Sequence, residues 1–301
     1  MDISVKIGKI KFKNPVTVAS GTFGHSEEYY DLKEVKQLGA LTLKTITLKA
    51  KEGNPPPRIL ETPSGMLNAI GIENPGVDYF IQEKLPSLRK IGVPLIVSII
   101  GGKDKDFQML AKKLQGLPGV SALELNLSCP NLRQKTLVAQ DPKATMRVIK
   151  AVKRVSEIPV IAKLSPNVTD ITTIAQAAEQ AGADGLSLVN TFSAMAIDVD
   201  KKSFCLGNVT GGLSGPAIRP IAVSMVYKTA QKVKIPIIAM GGIMNGRDAV
   251  EFLLAGATMV AVGTGNFVDP QIPLHVLQGI KAYMKKNKMT RLKSLIGKVN
   301  R

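Results

Sequence analysis

The 301-residue sequence predicts an α/β fold, a single TIM-type (β/α)8 barrel with elaborated loops at the C-terminal face of the strands, forming one domain over residues 1–301. Three observations lead there. Eight short, β-branched apolar runs recur along the chain, and the segments between the later ones have helical spacing. Twice a helix ends on Ala-Gly-Ala immediately before a strand, in AGADGL (181–186) and AGATMV (255–260), as one turn type reused between successive units would. Eight strands with intervening helices imply a closed parallel barrel rather than an open sheet.

The strands are expected at PVTVAS (15–20), ALTLKT (40–45), PLIVSII (94–100), ALELNLS (122–128), PVIAKLS (159–165), GLSLVNT (185–191), PIIAMGG (236–242) and MVAVGTG (259–265). DPKATMRVIKAVKRVSE opens a helix with Asp141 as cap and Pro142 in the first turn, and TDITTIAQAAEQAGA closes one on glycine. Two long insertions without periodicity, 46–75 and 192–219, each follow the carboxyl end of a strand. That end carries the chemistry in such barrels. No composition break or Ser/Gly-rich linker divides the chain.

The net charge of +17 sits mainly at the ends: residues 281–301 contribute +8 and residues 1–13 contribute +3. The C-terminal segment 281–301 therefore reads as a solvated basic tail, with a docking surface for an acidic partner as the sharper alternative. The longest apolar runs fall short of a membrane span, and the N-terminus is basic and alternating, so a soluble, cytoplasmic protein is expected. Cys129 and Cys205 are then reduced thiols, with no disulfide between them.

ELNLSCPN (124–131) ends an apolar strand in Asn126, Ser128, Cys129, Pro130 and Asn131. A cysteine just past a strand's active end suits proton transfer or nucleophilic attack, and this polar company separates Cys129 from Cys205, which has none. Lys44 and Lys163 end two otherwise apolar strands, where an unpaired ammonium would be costly and a compensating anion is expected. MGGI (240–243) and VGTG (262–265) end the last two strands, the usual place for a phosphate held by backbone N–H groups. TPSGMLNAIGIENPG (62–76) has the character of a binding loop with Asn68 and Asn74, and Asn190 and Thr191 could complete a site for a ring of alternating N–H and C=O groups.

Taken together and in order, ASGTFG (19–24), MLNAIGIENPG (66–76), NLSCPN (126–131), NVTGGLSGPAIRP (208–220), MGGI and VGTGNF resemble the dihydroorotate dehydrogenase family, class 1B, over residues 5 to about 270. The resemblance implies an FMN-bearing barrel that oxidises dihydroorotate to orotate in pyrimidine biosynthesis. It also implies a homodimer, and a heterotetramer with an electron-transfer subunit that carries FAD and an iron–sulfur cluster and passes electrons to NAD. This chain has no ferredoxin-like cysteine set, so no metal is expected on it.

By the resemblance, Cys129 removes a proton from C5 of dihydroorotate while hydride passes from C6 to the flavin, and Lys163 stabilises the anionic reduced ring. FMN contacts fall to Ser20, Lys44, Thr45, Asn126, Lys163, Val189, Gly215, Gly241, Gly242, Gly263 and Thr264. Substrate contacts fall to Lys44, Asn68, Ala69, Ile70, Gly71, Ile72, Asn126, Asn190 and Thr191. After Cys129 the family has a glycine-rich mobile loop, whereas this chain reads NLRQKTLVAQDP and places Arg133 and Lys135 on the expected lid.

Three other readings compete: the fumarate-using class 1A enzyme, tRNA dihydrouridine synthase, and a silent phosphate binder on the same fold. About 35 residues follow the last strand, too few for the helical domain that the tRNA enzyme needs, so no nucleic-acid partner is expected. No amphipathic segment precedes the barrel, so no membrane partner is expected either.

Overall fold

The computed structural model describes residues 1–23, 35–127 and 138–300. Eight parallel strands form the barrel: β1 (Val16–Val18), β2 (Leu41–Thr42), β3 (Leu95–Ile99), β4 (Val120–Asn126), β5 (Val160–Lys163), β6 (Gly185–Leu188), β7 (Ile237–Met240) and β8 (Met259–Val262). Seven lie within the expected runs, and β4 overlaps its run but begins two residues earlier, at Val120. The pairing order is β1-β8-β7-β6-β5-β4-β3-β2, so the sheet curls until β1 and β2 meet. Their seam is bridged by the Gly39 N–H donating to the Val16 carbonyl at 2.9 Å and by a Thr17–Thr42 hydroxyl contact of 3.1 Å.

Helices α1 (Asp104–Leu114), α2 (Pro142–Lys153), α3 (Ile171–Gln180), α4 (Arg219–Ala230), α5 (Gly246–Ala255) and α6 (Ile272–Lys286) are among those that surround the strands. The caps follow sequence chemistry. The Asp141 carboxylate accepts from the Lys143 N–H ahead of α2, Asp170 accepts from Thr172 ahead of α3, and Asn245 accepts from Arg247 and Asp248 ahead of α5. Gly182 and Gly256, the glycines of the two Ala-Gly-Ala turns, have φ of 91° and 116°, left-handed values that side chains with a Cβ rarely adopt. Between β2 and β3 a helical run over 77–91 widens to a π turn at Phe80–Lys84 and still buries Val77, Phe80, Leu85, Leu88 and Ile91.

The two insertions are more ordered than their sequence suggests. Strands Phe192–Ala194, Gly211–Ser214, Gly65–Asn68 and Ile59–Thr62 pair in that order as one antiparallel sheet, so residues far apart in sequence form a single structure over the strand ends. It has a small core of Leu67, Ala69 and Leu206. Strands of three or four residues rich in glycine carry too short a pattern to read as alternation. The glycines are needed for close approach: a Cβ on Gly212 would stand 2.0 Å from Thr191 Oγ1.

The barrel's opposite end is closed by the hairpin Val5–Ile7 and Ile10–Phe12, whose Ile7 and Phe12 are buried. Segment 281–301 departs from the expected solvated tail. After α6 the chain returns under the barrel, where the Asp2 N–H donates to the Thr290 carbonyl at 2.8 Å and the Leu292 N–H to the Asp2 carbonyl at 2.9 Å. Leu292 and Leu295 are buried, while the charged side chains from Lys281 to Lys298 face solvent together with uncharged neighbours such as Ala282, Asn287 and Ser294. Their spacing leaves an apolar residue free to dock every third or fourth position, a pattern that the charge count conceals. Among the described residues, no helix is long and apolar enough to cross a membrane.

Candidate active site

Side chains in a strand alternate between the barrel interior and the helix layer. In most barrel interiors both sets are apolar, but here a belt of polar groups lies inside, just below the mouth: Ser98 on β3, Glu124 on β4, Lys163 on β5 and Ser187 on β6, all buried. Ser187 Oγ donates to Glu124 Oε2 at 2.8 Å, and because β5 separates these two strands the bond crosses the interior. Lys163 Nζ stands 3.8 Å from Glu124 Oε1, an ion pair longer than a hydrogen bond. The register places Lys163 opposite both Asn126 and Ser187.

At the seam a second polar chain climbs to the mouth. Ser20 Oγ lies 3.0 Å from Thr45 Oγ1, which lies 2.9 Å from Ser98 Oγ. The β2–β3 pairing is interrupted at Lys44 and Thr45 and resumes at Ile46 with Ile99. This break gives both residues room to turn toward the opening, and Lys44 is half-buried there.

Across the mouth, Asn190 Nδ2 donates to Asn126 Oδ1 at 3.4 Å, and the Asn190 Oδ1 accepts the Thr191 N–H at 2.8 Å. Val189 is buried, and its N–H donates to the Met240 carbonyl at 3.2 Å. From the inserted sheet, Asn68 Nδ2 donates to the Gly212 carbonyl at 3.3 Å. The Ala69 N–H donates to the Arg58 carbonyl at 2.7 Å, and Asn54 holds the carbonyls of both Ala69 and Ile70, so this stretch is braced from behind. Gly71 and Ile72 follow with φ of 79° and 59°. A left-handed β-branched residue is costly, and its persistence marks a turn that the surrounding contacts impose.

Gly241, Gly242, Gly263 and Thr264 leave β7 and β8 side by side with Gly215. Thr264 Oγ1 donates to Ser214 Oγ at 2.8 Å. Gly242 has φ of 72°, and a Cβ there would meet the Gly215 carbonyl oxygen at 2.7 Å; on Gly215 it would meet the Gly65 Cα at 2.7 Å. At Gly263 the nearest atom to such a Cβ would be the Ala19 Cβ, 3.6 Å away. Two glycines are thus dictated by packing, while Gly263 bares backbone in a partly open turn.

The structure therefore brings Ser20, Lys44, Thr45, Asn126, Lys163, Val189, Gly215, Gly241, Gly242, Gly263 and Thr264 to the strand ends around one opening, with Asn68 to Ile72, Asn190 and Thr191 beside it. Cys129, its neighbours Ser128, Pro130 and Asn131, and the expected lid residues Arg133 and Lys135 lie outside the described residues. Asn74, expected in a binding loop, is instead a buried staple. Its side chain donates to Thr47 Oγ1 and the Ile72 carbonyl and accepts from the N–H groups of Thr47 and Gly76.

Sequence reasoning missed two contributors. Glu124 was visible as a carboxylate inside an apolar strand, the same argument that singled out the two lysines. Asn167 carried no signal, because a Ser-Pro-Asn stretch reads as an ordinary turn. Its Nδ2 donates to the Thr191 carbonyl at 3.1 Å, its Oδ1 accepts the Ser193 N–H at 2.9 Å, and its own carbonyl accepts from Gln140 Nε2 at 2.9 Å.

Comparison with known proteins agrees with this architecture. The family model for dihydroorotate dehydrogenase matches residues 2–284. The chain is 50% identical over 297 residues to the dihydroorotate dehydrogenase B (NAD(+)) catalytic subunit of Geotalea uraniireducens, covering 98% of this chain and 97% of that one. It is 50% identical over 299 residues to the subunit of the same name from Desulforudis audaxviator, covering 99% and 97%. It is 49% identical to the one from Caldicellulosiruptor bescii over the full length of both. A polar belt under the mouth, paired carboxamides above it and a glycine-lined turn at the last two strands thus accompany near-half identity over the whole chain, and the chain belongs to the dihydroorotate dehydrogenase family.

Proposed function

We propose that this chain is the catalytic subunit that oxidises dihydroorotate to orotate in the cytoplasm, using FMN. The observation that carries the reading is the convergence of Asn126, Asn190 and Thr191 with Lys44 and Lys163 on one mouth that also presents the bare turn at Gly263. These residues fit the cofactor. A phosphate suits the Gly241–Gly242 and Gly263–Thr264 turns, where backbone N–H groups can approach closely. The buried Lys163 ammonium suits the electron-rich edge of a flavin ring.

Bound there, FMN would accept the hydride from C6 of the substrate. The chain's own residues do the rest. Asn68, Asn126, Asn190 and Thr191 supply both donors and acceptors for the pyrimidine ring, which fixes its orientation. Cys129 takes the C5 proton on Sγ, a role that rests on the family resemblance of its motif. A thiol suits it because its ordinary pKa, near 8.5, lies close to the working pH. A partner subunit bearing FAD and an iron–sulfur cluster would carry the electrons on to NAD, within a heterotetramer built on a homodimer. The relatives' own designation as catalytic subunits of NAD(+) enzymes supports a partner subunit and NAD as the acceptor.

The test is anaerobic mixing of the purified, FMN-loaded chain with dihydroorotate. The flavin absorbance is expected to bleach rapidly in the wild type, at a rate that rises with pH, and at least about a hundredfold more slowly in Cys129→Ala. A flavin that dihydroorotate leaves oxidised in the wild type would end the proposal.

A further inference from the structure

The belt below the mouth holds a carboxylate for which the reaction above has no use. Glu124 is 1% exposed, and a buried carboxylate is tolerated only when it is paired and hydrogen-bonded. Its Oε2 is fixed by Ser187, yet Oε1 has no hydrogen-bond partner among the described residues. That oxygen stands 3.8 Å from the Lys163 ammonium. A leucine in its place would leave the buried Lys163 ammonium without this ion-pair partner, so the charge at Glu124 is matched to Lys163. The Ser187 bond spans the inner face of β5 and holds Oε2, which keeps Oε1 from closing onto Lys163 as a tight hydrogen-bonded pair.

We propose that Glu124 is a positioning residue for Lys163: it holds the ammonium where it would serve the edge of a bound FMN and offsets part of its charge, and so sets how readily that FMN would accept electrons. The inference rests on the FMN reading above. Reduction adds negative charge to the ring, and an ammonium nearby favours the reduced form. A carboxylate 3.8 Å from that ammonium offsets part of the effect, and Ser187 limits how far the offset goes.

The test is the midpoint potential of FMN bound to the wild type, Glu124→Gln, Lys163→Gln and the double variant. Glutamine keeps the volume and an oxygen for Ser187, and it replaces the charged oxygen facing Lys163 by a neutral amide. Glu124→Gln should favour the reduced form about tenfold, a rise of about 30 mV for a two-electron couple. In the Lys163→Gln background the same change should shift the equilibrium less than about threefold. Ser187→Ala, which frees the carboxylate to close onto Lys163, should move the potential in the opposite direction, and it carries the test should Glu124→Gln fail to fold. An unchanged potential in both Glu124→Gln and Ser187→Ala, or an equal Glu124→Gln shift with and without Lys163, would overturn the inference and leave the FMN reading intact. A wild-type protein that binds no FMN would overturn both.

Discussion

Asn167 Nδ2 donates to the Thr191 carbonyl at 3.1 Å while its Oδ1 takes the Ser193 N–H at 2.9 Å, so one side chain fixes the turn that leads out of β6. Asn167→Ala removes both bonds without touching any strand of the barrel. Each is worth about 1 kcal/mol net, and orotate affinity should fall roughly tenfold while FMN is retained. Titrating orotate against the flavin spectrum measures this. Equal affinities in variant and wild type would show that the turn holds itself.

Gly263 and Gly242 separate cofactor binding from packing. Gly263→Ala meets only the Ala19 Cβ at 3.6 Å, so the variant should fold with wild-type stability and yet release FMN at least about tenfold more readily. Gly242→Ala puts a Cβ 2.7 Å from the Gly215 carbonyl oxygen at a φ of 72°, and should cost about 1–3 kcal/mol of stability. Urea unfolding with and without added FMN distinguishes the two. A Gly263→Ala variant that keeps its FMN would remove this turn from the phosphate site.

How much of this could be read from the sequence depended on the length of each pattern. The eight barrel strands were legible because runs of six or seven residues dominated by apolar and β-branched side chains recur along the chain, with helical spacing between the later ones. The inserted sheet was not, since GMLN and GGLS owe their conformation to each other across more than a hundred residues. Lys163 was found by asking what a charge does inside an apolar strand, whereas its partner Glu124 stood one motif earlier and was passed over. Asn167 reaches the turn after β6 through the main chain of Thr191 and Ser193, and its local bonds to Ser165 Oγ are those of an ordinary turn, so its own sequence neighbourhood contains no trace of its task. The basic segment 281–301 was misread for a related reason, because charge counting ignores the two leucines that dock it.

Leu295 anchors that segment against the barrel and is fully buried. Leu295→Ala should lower stability by about 2–5 kcal/mol, as removal of a packed leucine side chain does. Denaturant unfolding reads this directly, and a loss below about 1 kcal/mol would mean that the segment folds without contributing to the core.

Asp170 caps α3, and the Thr172 N–H, with the hydroxyls of Thr172 and Thr173, holds its carboxyl below the ordinary value of 3.8. A carboxylate whose folded-state pKa is lowered stabilises the fold above its unfolded value, and that contribution is lost as pH falls through the folded one. Asp170→Asn keeps a good cap but cannot titrate. The stability advantage of the wild type over this variant should therefore be constant near neutrality and shrink below about pH 4. Unfolding curves at neutral and acid pH would show it, and a difference that grows on acidification would contradict the assignment.

The hydrogen bonds that join Asp2 to Thr290 and Leu292 also determine where this molecule can be handled. The segments around Asp2 and Leu292 lie side by side on the face remote from the opening. An affinity handle, a fluorophore or a tether to a solid support could be attached at an exposed side chain of either segment with the entrance left clear.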